Sequence, residues 1–456
     1  MSAPTLPSVP SGGSPASHRA TDEADAVPAG LGNYANEYLE RLRGGDTGSL
    51  PALIGLAILV ALFSVISTGF LTVKSVESMV AFSAPTIIMA MGLVFVLLLG
   101  EIDLSAGTIS GVCGAITAVV LITHHQGWVV AILAGLAAGA VIGLIIGVLR
   151  AKVGIPSFVI TLAFFLGFQG VQLFLVGSAG LSFADGTPGA NIINNIDAGF
   201  IPVWLGWTML AALVVGFALL KLQGAARRRK HKLPAEPFSV ILLKIVALAV
   251  FGGGFVYFMS INRFHCPTVR CIDAPNSAGM PWVVAIILVL FLILTFTLNR
   301  TRYGRHVYAV GGNAEAARRA GIRVDRIRTS VFVICSLLAA VSGLVADSQS
   351  GSSSQSGTGN VLLLAVGAAV IGGTSLFGGR GRVVDAIVGG LVVEVISYGM
   401  SNLIQGNNSS AWEEIITGLV LLLAAGFDAV SRRGSSNSSG SFARLLTALF
   451  RRESKN

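Results

Sequence analysis

Charge is scarce in this chain. Only 12% of its 456 residues are Asp, Glu, Lys or Arg, about half the roughly 25% of an ordinary soluble domain. That excludes a water-facing surface for most of the chain. The 53% of hydrophobic residues points to lipid and helix contact instead. Histidine is sparse too, with six residues scattered through loops and termini, and outside the 265–271 loop His and Cys do not cluster at metal-ligand spacing. No nucleophile–His–acid set can be placed, and no GxxxxGK[ST] phosphate loop occurs. The sequence therefore reads as a conduit rather than an enzyme, with no catalytic residue, metal or cofactor of its own. If ATP drives it, ATP–Mg binds to a separate ATPase polypeptide. The formal charge of +9 does not imply nucleic-acid binding, because the basic residues gather in short loops, as the positive-inside rule requires.

What is present is a series of apolar segments. Spanning the hydrocarbon core takes roughly 20 residues of helix. Candidates fall at 51–68, 82–99, 108–122, 128–149, 157–176, 201–222, 240–261, 282–298, 330–346, 361–371, 383–404 and 412–429. The expected fold is all-α and polytopic, with about twelve transmembrane helices (10–12), broken or re-entrant segments and two pseudo-repeated halves. Arg150 and Lys152, the RRRKHK run at 227–232, the arginines of 300–328, and Arg432 with Arg433 all follow even-numbered segments. The expectation is a multi-pass protein of the cell membrane with both termini cytoplasmic. Three regions follow: a disordered N-terminus at 1–49, a membrane domain at 50–433, and a tail at 434–456 with an interfacial amphipathic helix. The N-terminus lacks an early apolar run, so no cleavable signal peptide is expected.

The stretch 99–107, LGEIDLSAG, interrupts two apolar segments with Glu101 and Asp103. Charge near membrane depth is costly and needs protein or water around it. Glu101, Asp103 and Ser105 are therefore candidates for a polar translocation pathway, or for fixed hydrogen bonds that hold a broken backbone. A second stretch, IGGTSLFGG at 371–379, resembles it: without gaps Gly100 meets Gly372, Leu104 meets Leu376, Gly107 meets Gly379, and Asp103 meets Ser375. Paired Gly-interrupted segments in two halves point to a transport site, which adds Thr374 and Ser375. In the fifth segment Phe158 and Gln169, with Phe164, Phe165, Phe168 and Gln172, combine aromatic faces with amides. That suits a sugar ring, and equally a lipid-facing aromatic set. Asp385 and Glu394 lie in the eleventh segment, Glu394 near its middle. Gly135, Gly139, Gly143 and Gly147 share one face of the fourth, either for sliding or for tight static packing. Cys266 and Cys271 lie in an external loop, where a disulfide, free thiols or metal binding with His265 all remain open. Cys113 and Cys335 read as packed thiols.

The longest polar loop, 299–329, carries Gly311-Gly312-Asn313 ahead of a short helix at 314–320 that Gly321 ends. The helix either docks into a partner or is a solvated connector.

Four motifs in order, GEIDLSAG at 100–107, IPSFVITLA at 155–163, YGRHVYAVGGNAEAARRAGI at 303–322 and IGGTSLFGGRG at 371–381, resemble the membrane permease of bacterial ABC sugar importers. The likeness is to the ribose/xylose/galactose branch, most of all to the xylose-type permeases, and runs from about 50 to 433. It implies import of a monosaccharide, xylose or a related pentose or polyol. It also implies cytoplasmic ATPase subunits, an extracytoplasmic sugar-binding protein, a second permease subunit forming a homodimer or heterodimer, and a lipid bilayer; nucleic acid is not a partner. The family's coupling helix maps onto 312–322, and so onto Gly312, Asn313, Glu315, Ala316, Arg318 and Gly321. The alternative is an ion-coupled secondary sugar transporter that uses Glu101, Asp103 and Glu394.

Overall fold

The computed structural model describes residues 49–67, 69–183, 188–231, 237–261, 278–355, 358–404 and parts of 411–426. The N-terminus expected to be disordered, the Cys266–Cys271 pair and the tail expected to form an amphipathic helix lie outside the described residues.

The architecture is all-α and polytopic. In chain order the helices are α1 (Leu50–Ile66), α2 (Val73–Leu98), α3 (Ala106–Ala118), α4 (Trp128–Val148), α5 (Ser157–Val176), α6 (Ala190–Ala198), α7 (Val203–Lys230) and α8 (Phe238–Met259). They continue as α9 (Trp282–Arg300), α10 (Arg302–Gly312), α11 (Ala314–Arg319), α12 (Val324–Ser350), α13 (Thr358–Ile371) and α14 (Val383–Leu403). Wide π-turns extend α3 through Thr123 and α4 through Val153. Among the described residues nine helices are long and apolar enough to cross a membrane, and Leu50–Ile66 and Gly359–Ile371 are shorter apolar helices. Each of the first eleven apolar segments has its helix. Two are much longer than expected: α2 starts at Val73, where Thr72 Oγ1 accepts the Ser75 N–H at 3.2 Å, and α12 keeps its polar ends helical from Val324 to Ser350.

Two-stranded pieces tie distant loops together. β1 (Leu181–Ser182) pairs antiparallel with β4 (Ser352–Ser353), and β2 (Phe200–Ile201) with β3 (Met280–Pro281).

The core centres on α2, whose residues from Ile87 to Leu98 are buried without interruption. Helices α12, α13 and α14 surround it, and α12 also packs on α3 and α4. The halves interlock: α2 lies against α14, and α13 against α3. Helices α7 and α8 pack mainly on each other, with Gly206 the one fully buried residue of α7. The α4 glycines are in close static contact. A Cβ would strike the Cys113 carbonyl and Thr117 at Gly135, the Ser336 carbonyl at Gly139, the Phe332 carbonyl at Gly143 and the Thr329 backbone at Gly147. Bare Cα atoms thus bring α4 onto α3 and α12 at backbone distance. Cys113 and Cys335 are buried free thiols.

Pro85 lies inside α2. Lacking an N–H, it leaves the Ala81 carbonyl without its helical donor, and the Gln349 side chain of α12 supplies one at 2.6 Å.

Candidate transport site

The first break follows from a helix stop. Gly100 takes φ +70°, a conformation that costs glycine little. Its N–H donates to Leu97 O at 2.8 Å, and the Glu101 N–H to Val96 O at 3.2 Å, a Schellman cap that satisfies carbonyls of the last turn. Glu101 then folds into an ionic clasp. Arg150, at the end of α4, sets Nη2 2.7 Å from Oε1 and Nε 2.9 Å from both carboxylate oxygens. Arg328, in the first turns of α12, approaches Oε1 at 3.4 Å. Asp103, 1% exposed, accepts the Ser105 N–H at 2.9 Å and the Ser105 hydroxyl at 2.6 Å on Oδ1, and the Cys335 thiol lies beside it. An acid at this position complements the helix N-terminus that opens α3. The Ser157 hydroxyl accepts the Ile102 N–H at 3.4 Å, and the Thr161 hydroxyl lies 3.5 Å from the Ile102 carbonyl, so the first two motifs meet here.

The second break repeats the helix stop one residue out of the expected register. The Gly373 N–H donates to Val370 O at 3.0 Å and the Thr374 N–H to Ala369 O at 2.9 Å, and Gly373 has φ +119°. The i−3 and i−5 bonds reproduce those of Gly100 and Glu101, so Gly100 corresponds to Gly373 rather than to Gly372. The ungapped pairing of Gly107 with Gly379 fails as well, because α14 begins only at Val383. Within this longer loop Thr374 and Ser375 are buried, at 1% and 2% exposure. Thr374 Oγ1 donates to Asp385 Oδ2 at 3.2 Å, and the Arg382 N–H donates to the same oxygen at 2.7 Å. The Ser375 hydroxyl accepts the Phe377 N–H at 3.2 Å.

The two breaks touch. The Gly379 N–H donates to the Leu98 carbonyl at 2.8 Å, one of the acceptors that a helix end leaves open. Gly311, near the end of α10, wedges between them: a Cβ there would overlap Leu98 O and crowd Gly379 N. Tyr308 of the same helix donates its hydroxyl to Gly381 O at 2.8 Å. Burial, reinforced by the Asp385 charge, raises its pKa and keeps the phenol a neutral donor. Three of the four motifs thus converge within one backbone crossing.

Of the remaining pathway candidates, Phe158 is half exposed at 51%. Gln169 is partly buried and offers its backbone carbonyl to Gln355 Nε2 at 3.3 Å. The buried amide of α5 is Gln172, at 1% exposure. It lies with Asp347 against α3, and Asp347 went unnoticed in the sequence because α12 is polar over its last turn.

Residues 75–425 match the family described as branched-chain amino acid transport system / permease component. The chain is 31% identical to the xylose transport system permease protein of Haemophilus influenzae over 84% of its own length and 96% of the relative's. It is also 31% identical to that of Escherichia coli K12, over 84% and 92%. With the ribose import permease protein of E. coli K12 it shares 28% identity over 82% and 91%. The chain belongs to this permease family. No solved structure gives a significant match.

In this permease the α10–α11 unit presents an exposed tip. Gly312, Asn313, Glu315, Ala316, Arg318 and Gly321 are all exposed, while Ala317 is buried beneath them. Asn313 caps α11, its Oδ1 accepting the Ala316 N–H at 2.9 Å. Gly321 ends the turn at φ +84°. Arg318 lies 3.6 Å from Asp325, and Arg319 3.4 Å from Glu315, both exposed pairs of small energetic weight.

Proposed function

We propose that this permease is the membrane subunit of an ATP-driven importer that moves a pentose, with xylose first among candidates, across the cytoplasmic membrane. The relatives named for xylose and ribose support that substrate class. Its partners are a pair of cytoplasmic ATPase subunits, an extracytoplasmic sugar-binding protein and a second permease subunit of the same kind. Both termini lie in the cytoplasm, on the side of Arg150, Arg328 and the 227–231 basic run.

The observation that carries the mechanism is the wedge of Gly311 against Leu98 and Gly379. The exposed α11 tip, from Gly312 to Gly321, docks on the ATPase. When ATP draws the ATPase pair together, the displacement passes along α10. Through Gly311 and Tyr308 it reaches both breaks, and so the ends of α2, α3, α13 and α14. Under this reading Glu101, Asp103, Ser105, Thr374 and Ser375 hold the moving backbone in shape. Glu101 is committed to two arginines, which weighs against its use as a proton or cation site in secondary transport.

Two measurements test this. Bulky acidic residues at 312–313 and 316–318 are expected to abolish co-purification of the ATPase while the permease stays in the membrane; normal co-purification would refute the docking surface. Uptake of labelled xylose by vesicles is expected to require the ATPase and ATP. Uptake sustained by a proton or sodium gradient alone would refute the ATP-driven reading.

A further inference from the structure

Two acceptor oxygens set against the middle of α3, beyond the first break, have no hydrogen-bond partner among the described residues. Gln172 commits Nε2 to the Ser354 carbonyl at 2.8 Å, which leaves its enclosed Oε1 against Gly111 without a partner. Asp347 Oδ2 is enclosed and unpartnered against Gly114, with the Ser353 hydroxyl beside the carboxylate. Gly111 and Gly114 stand three residues apart, on one face of α3. A Cβ at Gly111 would collide with the Gln172 amide, and one at Gly114 with the Asp347 carboxylate. The α4 glycines are bare so that helix backbones can meet; these two are bare so that polar side-chain ends can lie against α3. One carboxylate and one amide oxygen, each already oriented, converge between α3, α5, α12 and the β1–β4 pair.

Native proteins seldom leave enclosed acceptors without a donor, and each exception calls for something that supplies one. Two acceptors plus a hydroxyl that can give or accept suit a ligand rich in O–H donors and free of negative charge. We propose that Gln172, Asp347 and Ser353 form a hydroxyl-reading station on the translocation path, where the sugar in transit donates hydroxyl protons to Gln172 Oε1 and Asp347 Oδ2. The inference rests on the reading of this chain as a sugar permease and adds the residues that discriminate among sugars within it. Two or three hydrogen bonds suit a station that must release what it reads. These are positioning contacts; no bond of the sugar is made or broken.

The test uses the whole transporter, permease with ATPase and sugar-binding protein, in proteoliposomes. Initial uptake is measured for labelled xylose and for xylose analogues that each lack one hydroxyl. The binding protein is the same throughout, so a change in the xylose-to-analogue ratio arises in the permease. Gln172→Leu and Asp347→Asn are each expected to shrink that ratio for at least one analogue by roughly three- to tenfold, the worth of one hydrogen bond, while ATP hydrolysis persists. If either variant fails to reach the membrane, Gln172→Glu and Ser353→Ala read the same ratio. Wild-type transporter that moves no sugar would sink the function reading and this one with it. Sugar uptake that falls equally for every analogue, or does not change, would overturn the station alone and leave water as the donor to both oxygens.

Discussion

Gln349 of α12 donates its side-chain amide to the Ala81 carbonyl of α2 at 2.6 Å, the one carbonyl that Pro85 strips of its helical donor. A buried acceptor with no donor costs about 1–3 kcal/mol. Gln349→Leu is therefore expected to destabilise the permease by about that amount, read as a lowered Tm in detergent. Pro85→Ala restores a backbone N–H to Ala81, so Gln349→Leu is expected to cost much less in that background. A double-mutant cycle measures the coupling, and equal losses in both backgrounds would contradict the pairing.

The clasp around Glu101 predicts an asymmetry. Removing one partner of a buried ion pair costs about 3–5 kcal/mol. Arg150→Met leaves Arg328 at 3.4 Å from Glu101, and both arginines keep some solvent contact, so a smaller loss of about 2 kcal/mol is expected. Glu101→Ala orphans both guanidinium groups and is expected to be the more damaging. Thermal denaturation of the two variants side by side decides the order.

Adjacent glycines offer a sharp contrast. Gly311→Ala pushes a methyl group into Leu98 O, a backbone atom that cannot rotate away. Uptake is expected to fall at least tenfold, a barrier increase of about 1.4 kcal/mol or more, with the protein still in the membrane. Gly312→Ala meets nothing within 4 Å and is expected to keep near-normal uptake. Equal activity of the two would remove Gly311 from the transmission route.

Static packing of α4 gives a further expectation. Gly143→Leu would force α4 away from Phe332 and Ser336, at about 1–3 kcal/mol or more for overpacking. A reduced yield of folded permease on size-exclusion chromatography is the measurement. At Gly167 of α5 nothing lies within 4 Å, and Gly167→Ala is expected to leave the yield unchanged.

Helix existence and order were legible because a bilayer-spanning segment announces itself by length and apolarity alone. Glu101 was legible as an anomaly, but its partners were not. Arg150 lies 49 residues away and reads locally as a topology anchor. The same-side count that grouped Arg150 with the break could have suggested the pairing. Glycine spacing alone misplaces the register of the second break, because it carries no information about backbone bonds. The caps at Gly100 and Gly373 are identical, yet the loop that follows Gly373 is longer. Gln169 and Gln172 both stand out in the sequence of α5, and only the fold shows Gln172 as the buried one, since rotation about a helix with apolar residues on every face cannot be fixed from its own sequence. The short α11, with its Asn313 cap and Gly321 stop, was read correctly because its signals are local.

The bond between Gln349 and Ala81 spans 268 residues. Chains grow at about 5–20 residues per second, so α2 leaves the ribosome tens of seconds before its proline gap can be closed. During that interval the open carbonyl is left to water for its donor. The early biogenesis of this permease therefore has a waiting period written into it, one that ends only when α12 arrives.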